Sequence, residues 1–198
     1  MKFLKTHTSL SMRQSDTHNA CYYQDLHDTS EAYQYNNWLI GEKLLQEMIF
    51  GKTIIEIGCG NGYFLREASK IAKSVHGIDW AISPCMDNLP PNVTFTQIDL
   101  LLESIPKADV LCSGDVLEHF PEASLNMLIE RILTAAPIQY HVIACFDDNH
   151  SHLTIKKPDW WLRKFQEIGN RKFHCESRYR KRRRIFGRNK QIAVIYSP

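Results

Sequence analysis

Long apolar runs are missing from this chain of 198 residues, and no stretch approaches the roughly 20 residues that cross a bilayer as a helix. The charged start Met1-Lys2-Phe3-Leu4-Lys5 is followed by no apolar segment, so the pattern of a secretory signal is lacking too. Both absences point to the cytoplasm, or to a host's cytoplasm if the source is a virus. Closely spaced cysteines are also lacking. Cys21, Cys59, Cys85, Cys112, Cys145 and Cys175 stand far apart, which excludes the paired spacing of zinc ribbons and dithiol redox motifs. Cys112 and Cys145 fall in apolar runs and read as buried thiols. There is no internal repeat, no low-complexity tract and no composition break that would mark a second domain. What is present is an ordinary soluble balance, 43% hydrophobic and 23% charged, enough for one domain with a sizeable core.

Net charge is small overall but unevenly placed. The formal net charge is +2, yet residues 171–190 alone carry ten Lys/Arg against Glu176, which leaves the rest of the chain acidic. An acidic body with one basic segment is the main compositional clue to partners.

Residues 1–28 are polar without an apolar period and read as a flexible arm before a single domain at 29–198. From Thr29 to Phe50, Trp38, Leu39, Leu44, Leu45, Met48 and Ile49 recur at helical spacing. Five short apolar runs read as strands: Thr53–Ile57, Ser74–Ile78, Val93–Ile98, Asp109–Ser113 and His141–Phe146. Helices are expected over Tyr63–Ala72, Ser124–Ala135 and Asp159–Ile168, the last started by Pro158 and stopped by Gly169. Two tail strands follow, Phe173–Arg180 and Gln191–Tyr196. Strands alternating with helices imply an α/β fold, a mostly parallel sheet with helices on both faces.

The first strand runs into Glu56-Ile57-Gly58-Cys59-Gly60-Asn61-Gly62. Glycines there let the backbone turn tightly and approach a ligand. Asp79 stands 21 residues past Gly58, at the end of the second strand, where a carboxylate can accept from both hydroxyls of a ribose. A nicotinamide dehydrogenase would show Gly-x-Gly-x-x-Gly, but here the third glycine comes one residue early. The acid just before the loop, Glu56, suits a sulfonium with an amino-acid tail better than a pyrophosphate.

Ile54–Gly62 resembles the first motif of class I S-adenosylmethionine-dependent methyltransferases. Gly77-Ile78-Asp79 resembles their second and Gln97-Ile98-Asp99 their third. Asp109–Phe120 resembles the fourth, in the form seen in ubiquinone-biosynthesis-like enzymes. The resemblance implies a Rossmann-like seven-stranded sheet with its last strand antiparallel, and S-adenosyl-L-methionine as cofactor. It implies that Gly58 and Gly60 line the methionine part, with Glu56 supporting the loop. Asp79 would hold the ribose, Trp80 would pack on the adenine, and Asp99, with Ile98 or Leu100 nearby, would accept from the adenine amino group. Gly114 and Asp115 would border the methyl-transfer site.

The acceptor is less legible. Methyl transfer is an in-line displacement driven by alignment and desolvation, and a base is needed only where the acceptor must lose a proton. His119 and Asp115 are the candidate catalytic residues. Asp115-x-x-Glu118-His119, together with His150 or His152, also offers the oxygen and nitrogen ligands that suit Mg²⁺, Mn²⁺ or Zn²⁺. That arrangement resembles the acid-x-x-Glu-His pattern of small-RNA 3′-end methyltransferases but departs from it at Asp115 and in the later histidine. No metal is assigned, because the larger class with Glu-His at this place uses none. Gly114-Asp115-Val116-Leu117 stands where amino-methyltransferases of DNA bases carry Asn/Asp-Pro-Pro-aromatic. Pro84-Cys85 follows the second strand rather than the fourth, which sets cytosine-C5 chemistry aside. The expectation is transfer to an O or N atom of a small molecule. Alternatives are an RNA or nucleotide acceptor held by Arg178–Lys190, as a basic hairpin with interleaved aromatics, or a non-catalytic cofactor-binding subunit. The same basic segment reads foremost as a solvated face, and also as a dock for an acidic partner or substrate.

Overall fold

A computed structural model describes residues 19–180 and 190–198. Three helices, α1 (Ala20–Thr29), α2 (Glu31–Tyr35) and α3 (Lys43–Ile49), precede the sheet. Then follow β1 (Thr53–Ile57), α4 (Tyr63–Ala68), β2 (Ser74–Asp79), β3 (Val93–Gln97) and β4 (Val110–Gly114). The chain closes with α5 (Glu122–Ala135), β5 (Ile138–Ala144), α6 (Pro158–Gly169), β6 (His174–Arg180) and β7 (Lys190–Ser197). The strands form one seven-stranded sheet in the order β3-β2-β1-β4-β5-β7-β6. Neighbours from β3 to β5 are parallel, and β7 runs antiparallel to both β5 and β6. This is the Rossmann-like architecture expected of the sequence.

Alternation along each strand explains the two cores. Ile55 and Ile57 face one side with Leu111, Leu125, Ile129 and Trp161, and are joined there by α5 and α6. Ile54, Val75, Val110 and Cys112 face the other, against α3 and α4. Each fully buried Ile or Leu contributes roughly 1.5–3 kcal/mol relative to exposure. Pairing of Ile57 with both Ile78 and Ser113 sets Gly58, Asp79 and Gly114 side by side at the carboxyl edge. Strand order reverses between β1 and β4, and that crevice is where open α/β sheets receive ligands.

Four expectations need correction. Within the arm assigned to residues 1–28, residues 20–28 are helical: Asn19 Oδ1 caps α1 by accepting from Tyr22 N at 3.1 Å. Residues 1–18 lie outside the described residues. The helix expected from Thr29 to Phe50 is broken into α2 and α3. Asn37 Oδ1 accepts from Leu39 N and Ile40 N at 2.8 and 3.0 Å, a local turn that competes with the helix, and Gly41 takes φ +88°. Strand β5 begins at Ile138, three residues earlier than expected, because these residues pair with β4. Cys112 is fully buried as expected, whereas Cys145 is only half-buried.

Candidate active site

Every residue nominated from the sequence for the cofactor or for catalysis lines one cavity of about 450 Å³ at the carboxyl edge of the sheet. At the end expected to hold the methyl donor, the loop after β1 is held by Asp79. One carboxylate oxygen accepts from Gly60 N at 2.8 Å, and the other from Trp80 N and Ala81 N at 2.7 and 3.1 Å. Gly58 and Gly60 have φ of +64° and +50°, a region that favours glycine. The two differ in surroundings. A Cβ at Gly58 would stand 2.3 Å from Val116 Cγ2, whereas one at Gly60 would meet only His27 Cε1, at 3.6 Å. Close packing thus adds a second requirement at Gly58. Glu56 is buried at 3% exposure, and its Oε2 has no hydrogen-bond partner. Burial, reinforced by the nearby Asp79 carboxylate, pushes its carboxyl well above the usual range. A buried acid of this kind invites a cationic ligand.

Trp80, Ile98, Asp99 and Leu100, the residues expected to meet the adenine, form one wall of the cavity. Asp99 Oδ1 accepts from Leu101 N at 2.8 Å, which fixes the turn after β3. Gly114 sits where a Cβ would come within 2.7 Å of Trp38 Cβ, so the segment between α2 and α3 packs directly on the end of β4.

The end expected to face the acceptor is a polar cluster. Asp115 follows β4 with φ +65°, a left-handed conformation in a non-glycine residue, held by its N–H to Val142 O at 2.9 Å. Glu118, in a single 3-10 turn at Leu117–His119, is fully buried, and its Oε1 accepts from Ala144 N at 2.5 Å. Burial and the Asp115 carboxylate raise its proton affinity. His119 is pushed down to about 3 by burial and the imidazole of His152, so it is neutral at physiological pH and a weak base. Its Nδ1 lies 3.3 Å from the Tyr23 hydroxyl. Asp115, Glu118, His119 and His152 each offer one ligand atom, all within 4.8 Å of one another.

Of the two later histidines, only His152 joins this group. His150 Nδ1 contacts Tyr22 OH at 2.7 Å instead, on the wall of the same cavity. The loop carrying both is fixed by Asp148. Its carboxylate accepts from the N–H groups of His150, Ser151 and His152 at 2.9–3.1 Å and is held well below the usual range by hydrogen bonds from Ser151 and the loop backbone.

Sequence reasoning missed the wall supplied by Tyr23, His27 and Tyr33. His27 is buried within 4.0 Å of Asp79. The signal lay in Asn19 as a cap and in Tyr23 and His27 four residues apart, one face of a helix. Asn61 was passed over as well. Its Nδ2 donates to Tyr33 O and Asn36 O at 3.2 and 2.7 Å, fastening the loop to the N-terminal helices.

A family model described as a methyltransferase domain matches residues 30–182. No curated protein matches the sequence. Among solved structures, the DhpI–SAM–HEP complex is similar at 16% identity, over 90% of this chain and 95% of that one, with a TM-score of 0.67. Magnesium protoporphyrin IX methyltransferase (ChlM) from Synechocystis PCC 6803 with bound SAM is similar at 14% identity, over 96% and 100% of the two chains, with a TM-score of 0.62. An S-adenosylmethionine-dependent methyltransferase from Mesorhizobium loti is similar at 16% identity, over 78% and 94%, with a TM-score of 0.57. At these identities the likeness concerns the fold.

Proposed function

The chain belongs to the methyltransferase-domain family and is an S-adenosylmethionine-dependent methyltransferase; we propose that its acceptor is an oxygen or nitrogen atom of a small molecule. The observation that carries this reading is the single cavity that joins the donor end to the polar cluster. Its volume, about 450 Å³, lies within the roughly 300–1,000 Å³ of small-molecule sites.

The residues of the cavity themselves suit the cofactor. The unpartnered Oε2 of Glu56 complements a cationic, amino-acid-bearing ligand, and Asp79 stands at the strand end where a ribose is held. Glu56, Gly58 and Gly60 take the methionine part, Trp80, Asp99 and Leu100 the adenine, and Gly114 and Asp115 border the transferred methyl. When bound, the cofactor supplies an electrophilic methyl on sulfur. Held there, it would donate that methyl to an oxygen or nitrogen of the acceptor, which would release one proton. Asp115 and His119 orient the acceptor, and Tyr23 and the His150–His152 loop limit water.

Titration calorimetry with S-adenosylmethionine, followed by transfer of labelled methyl to fractionated small molecules and to RNA, tests the reading. Label confined to small molecules is expected. Label on RNA alone would overturn the acceptor class, and failure to bind either the cofactor or its demethylated product would overturn the whole assignment.

A second reading, an RNA or nucleotide acceptor, has one observation in its favour: Lys190 lines the same cavity, with its Nζ 4.3 Å from the centre of the Phe146 ring. Arg178, at the other end of the basic segment, is committed to Glu42 and Glu176 at 2.7 Å each. Residues 181–189 lie outside the described residues. Salt-dependent RNA binding that disappears on neutralising Arg182–Arg184 would favour this reading. A reducing compartment such as the cytoplasm is supported by six free cysteines. Among the described residues no helix is long and apolar enough to cross a membrane.

A further inference from the structure

We propose that Lys190 selects an acceptor bearing a carboxylate or phosphate group set apart from the atom that takes the methyl. This deepens the methyl-transfer reading. It rests on that reading for which end of the acceptor reacts, and on the charges around Lys190 alone for the anion.

The sheet fixes where Lys190 stands. It opens β7 and pairs with Arg180 of β6, and O of the next residue, Gln191, accepts from Cys145 N at 2.9 Å. That register sets its side chain beside the end of β5, where Nζ lies 4.3 Å from the centre of the Phe146 ring. An ammonium carries three hydrogen-bond donors. A ring face attracts the charge but does not replace a counter-ion. Among the described residues no carboxylate forms an ion pair with Lys190.

The acids of the adjoining loop are committed elsewhere. Asp147 Oδ1 accepts from Asn149 N at 2.7 Å. Asp148 Oδ1 accepts from the N–H groups of His150, Ser151 and His152, and its Oδ2 accepts from Ser151 Oγ at 2.5 Å. Both carboxylates are thus turned back on their own loop. Lys190 is half-buried, and an anion brought to it by a ligand gains more there than in bulk water.

Charge along the cavity is lopsided. Among the described residues that line it, Lys190 is the one Lys or Arg, against Asp79, Asp99, Asp115 and Asp148. An anion placed near any of those four meets charge of its own sign. The contrast therefore orients the acceptor as well as selecting it, because like charges disfavour the reversed pose.

A run of rings separates the two ends. The ring centres of His119 and His152 are 4.9 Å apart, those of His152 and Phe146 are 5.2 Å apart, and Lys190 follows over Phe146. An acceptor whose reactive atom lies beside Asp115 and His119 meets Lys190 through a group several bonds away. The anion is a handle, and the methyl goes to a different oxygen or nitrogen. A phosphate of RNA has the same chemistry, but a nucleic-acid strand is held by several cations at once, and Arg178 is already paired with Glu42 and Glu176. A small anionic molecule needs only Lys190.

The test measures binding of benzoate, phenyl phosphate, benzyl alcohol and benzylamine to the full chain, by calorimetry and ligand-observed NMR, with and without the demethylated cofactor. At least one of the two anions should bind tenfold or more tightly than benzyl alcohol, and benzylamine no better than the alcohol. The tighter anion tells carboxylate from phosphate. Lys190→Ala, checked for folding by circular dichroism, should abolish the preference, Lys190→Arg should keep it, and Lys190→Glu should shift it to benzylamine. Equal binding of all four probes, or a preference that survives in Lys190→Ala, would overturn the proposal. So would an RNA oligonucleotide that binds through Lys190 where neither small anion does. Cofactor binding is measured separately. A Lys190-dependent preference without cofactor binding would leave the anion site standing and sink the methyl-transfer reading, and cofactor binding with indifference to anions would do the reverse.

Discussion

At the donor end, Glu56, Gly58, Gly60 and Asp79 come from two paired strands and the short turns after them. At the acceptor end, Asp115, Glu118 and His119 meet His152, 33 residues further along, on a loop shaped by Asp148. The donor end is held largely by backbone N–H groups on one carboxylate, so it is local and shape-specified. The acceptor end gathers side chains whose charges are mutually costly when buried, so it depends on distant elements and on what it binds. One cavity therefore joins a donor site built from turn geometry to an acceptor site built from opposed ionisable groups.

If that division is right, the two ends can be damaged separately. Asp79→Ala removes the acceptor for three backbone N–H groups as well as the proposed ribose partner. Cofactor affinity should fall at least ~100-fold, about 2.7 kcal/mol, by calorimetry. A loss under threefold would mean that the loop holds its shape unaided. His119→Ala should lower kcat by roughly 100-fold through lost acceptor alignment while leaving the cofactor dissociation constant within twofold. Equal damage to both would merge the two ends.

Gly58→Ala probes the junction, because its Cβ would stand 2.3 Å from Val116 Cγ2 at a φ of +64°. The expected cost is about 1–3 kcal/mol, read by thermal denaturation. Val116→Ala should recover part of it by removing the clash but not the backbone strain.

The smallest effect per step is a pH slope, and it is measured on cofactor-free protein. Glu56 keeps a proton in the native state that the unfolded chain releases, so stability is lost as pH rises above 4.5. Glu56→Gln should therefore improve against its parent as pH rises from there. His119, lowered from 6.5 to about 3, behaves in the opposite sense. The unfolded chain takes the proton first, and stability is lost as pH falls through that window. His119→Gln should improve against its parent as pH falls below 6.5. Each slope is at most about 1.4 kcal/mol per pH unit, and Tm measured across pH checks both signs.

Much of this was legible in the residues. Ile54–Ile57 could only be a buried strand, the glycines after it only a tight turn, and Asp79 and Asp99 fell at strand ends by simple alternation. The parallel sheet followed from the order of elements. Helix α1 was not legible in the same way, because its apolar face is weak and His27 is its one buried residue. Nor could residues 29–50 reveal their break, since the Asn37 turn competes with helix locally while the packing of Trp38 and Leu39 on Gly114 is a distant event.

The sequence by itself determined the strand–turn–helix order and the donor end, because tight turns and period-two burial are local consequences of residue type. Only the tertiary structure decided which histidine joins Asp115, Glu118 and His119, and that α1 closes one wall. Those contacts span long loops, and their geometry is set by sheet register and by Asp148 rather than by any neighbouring residue pattern.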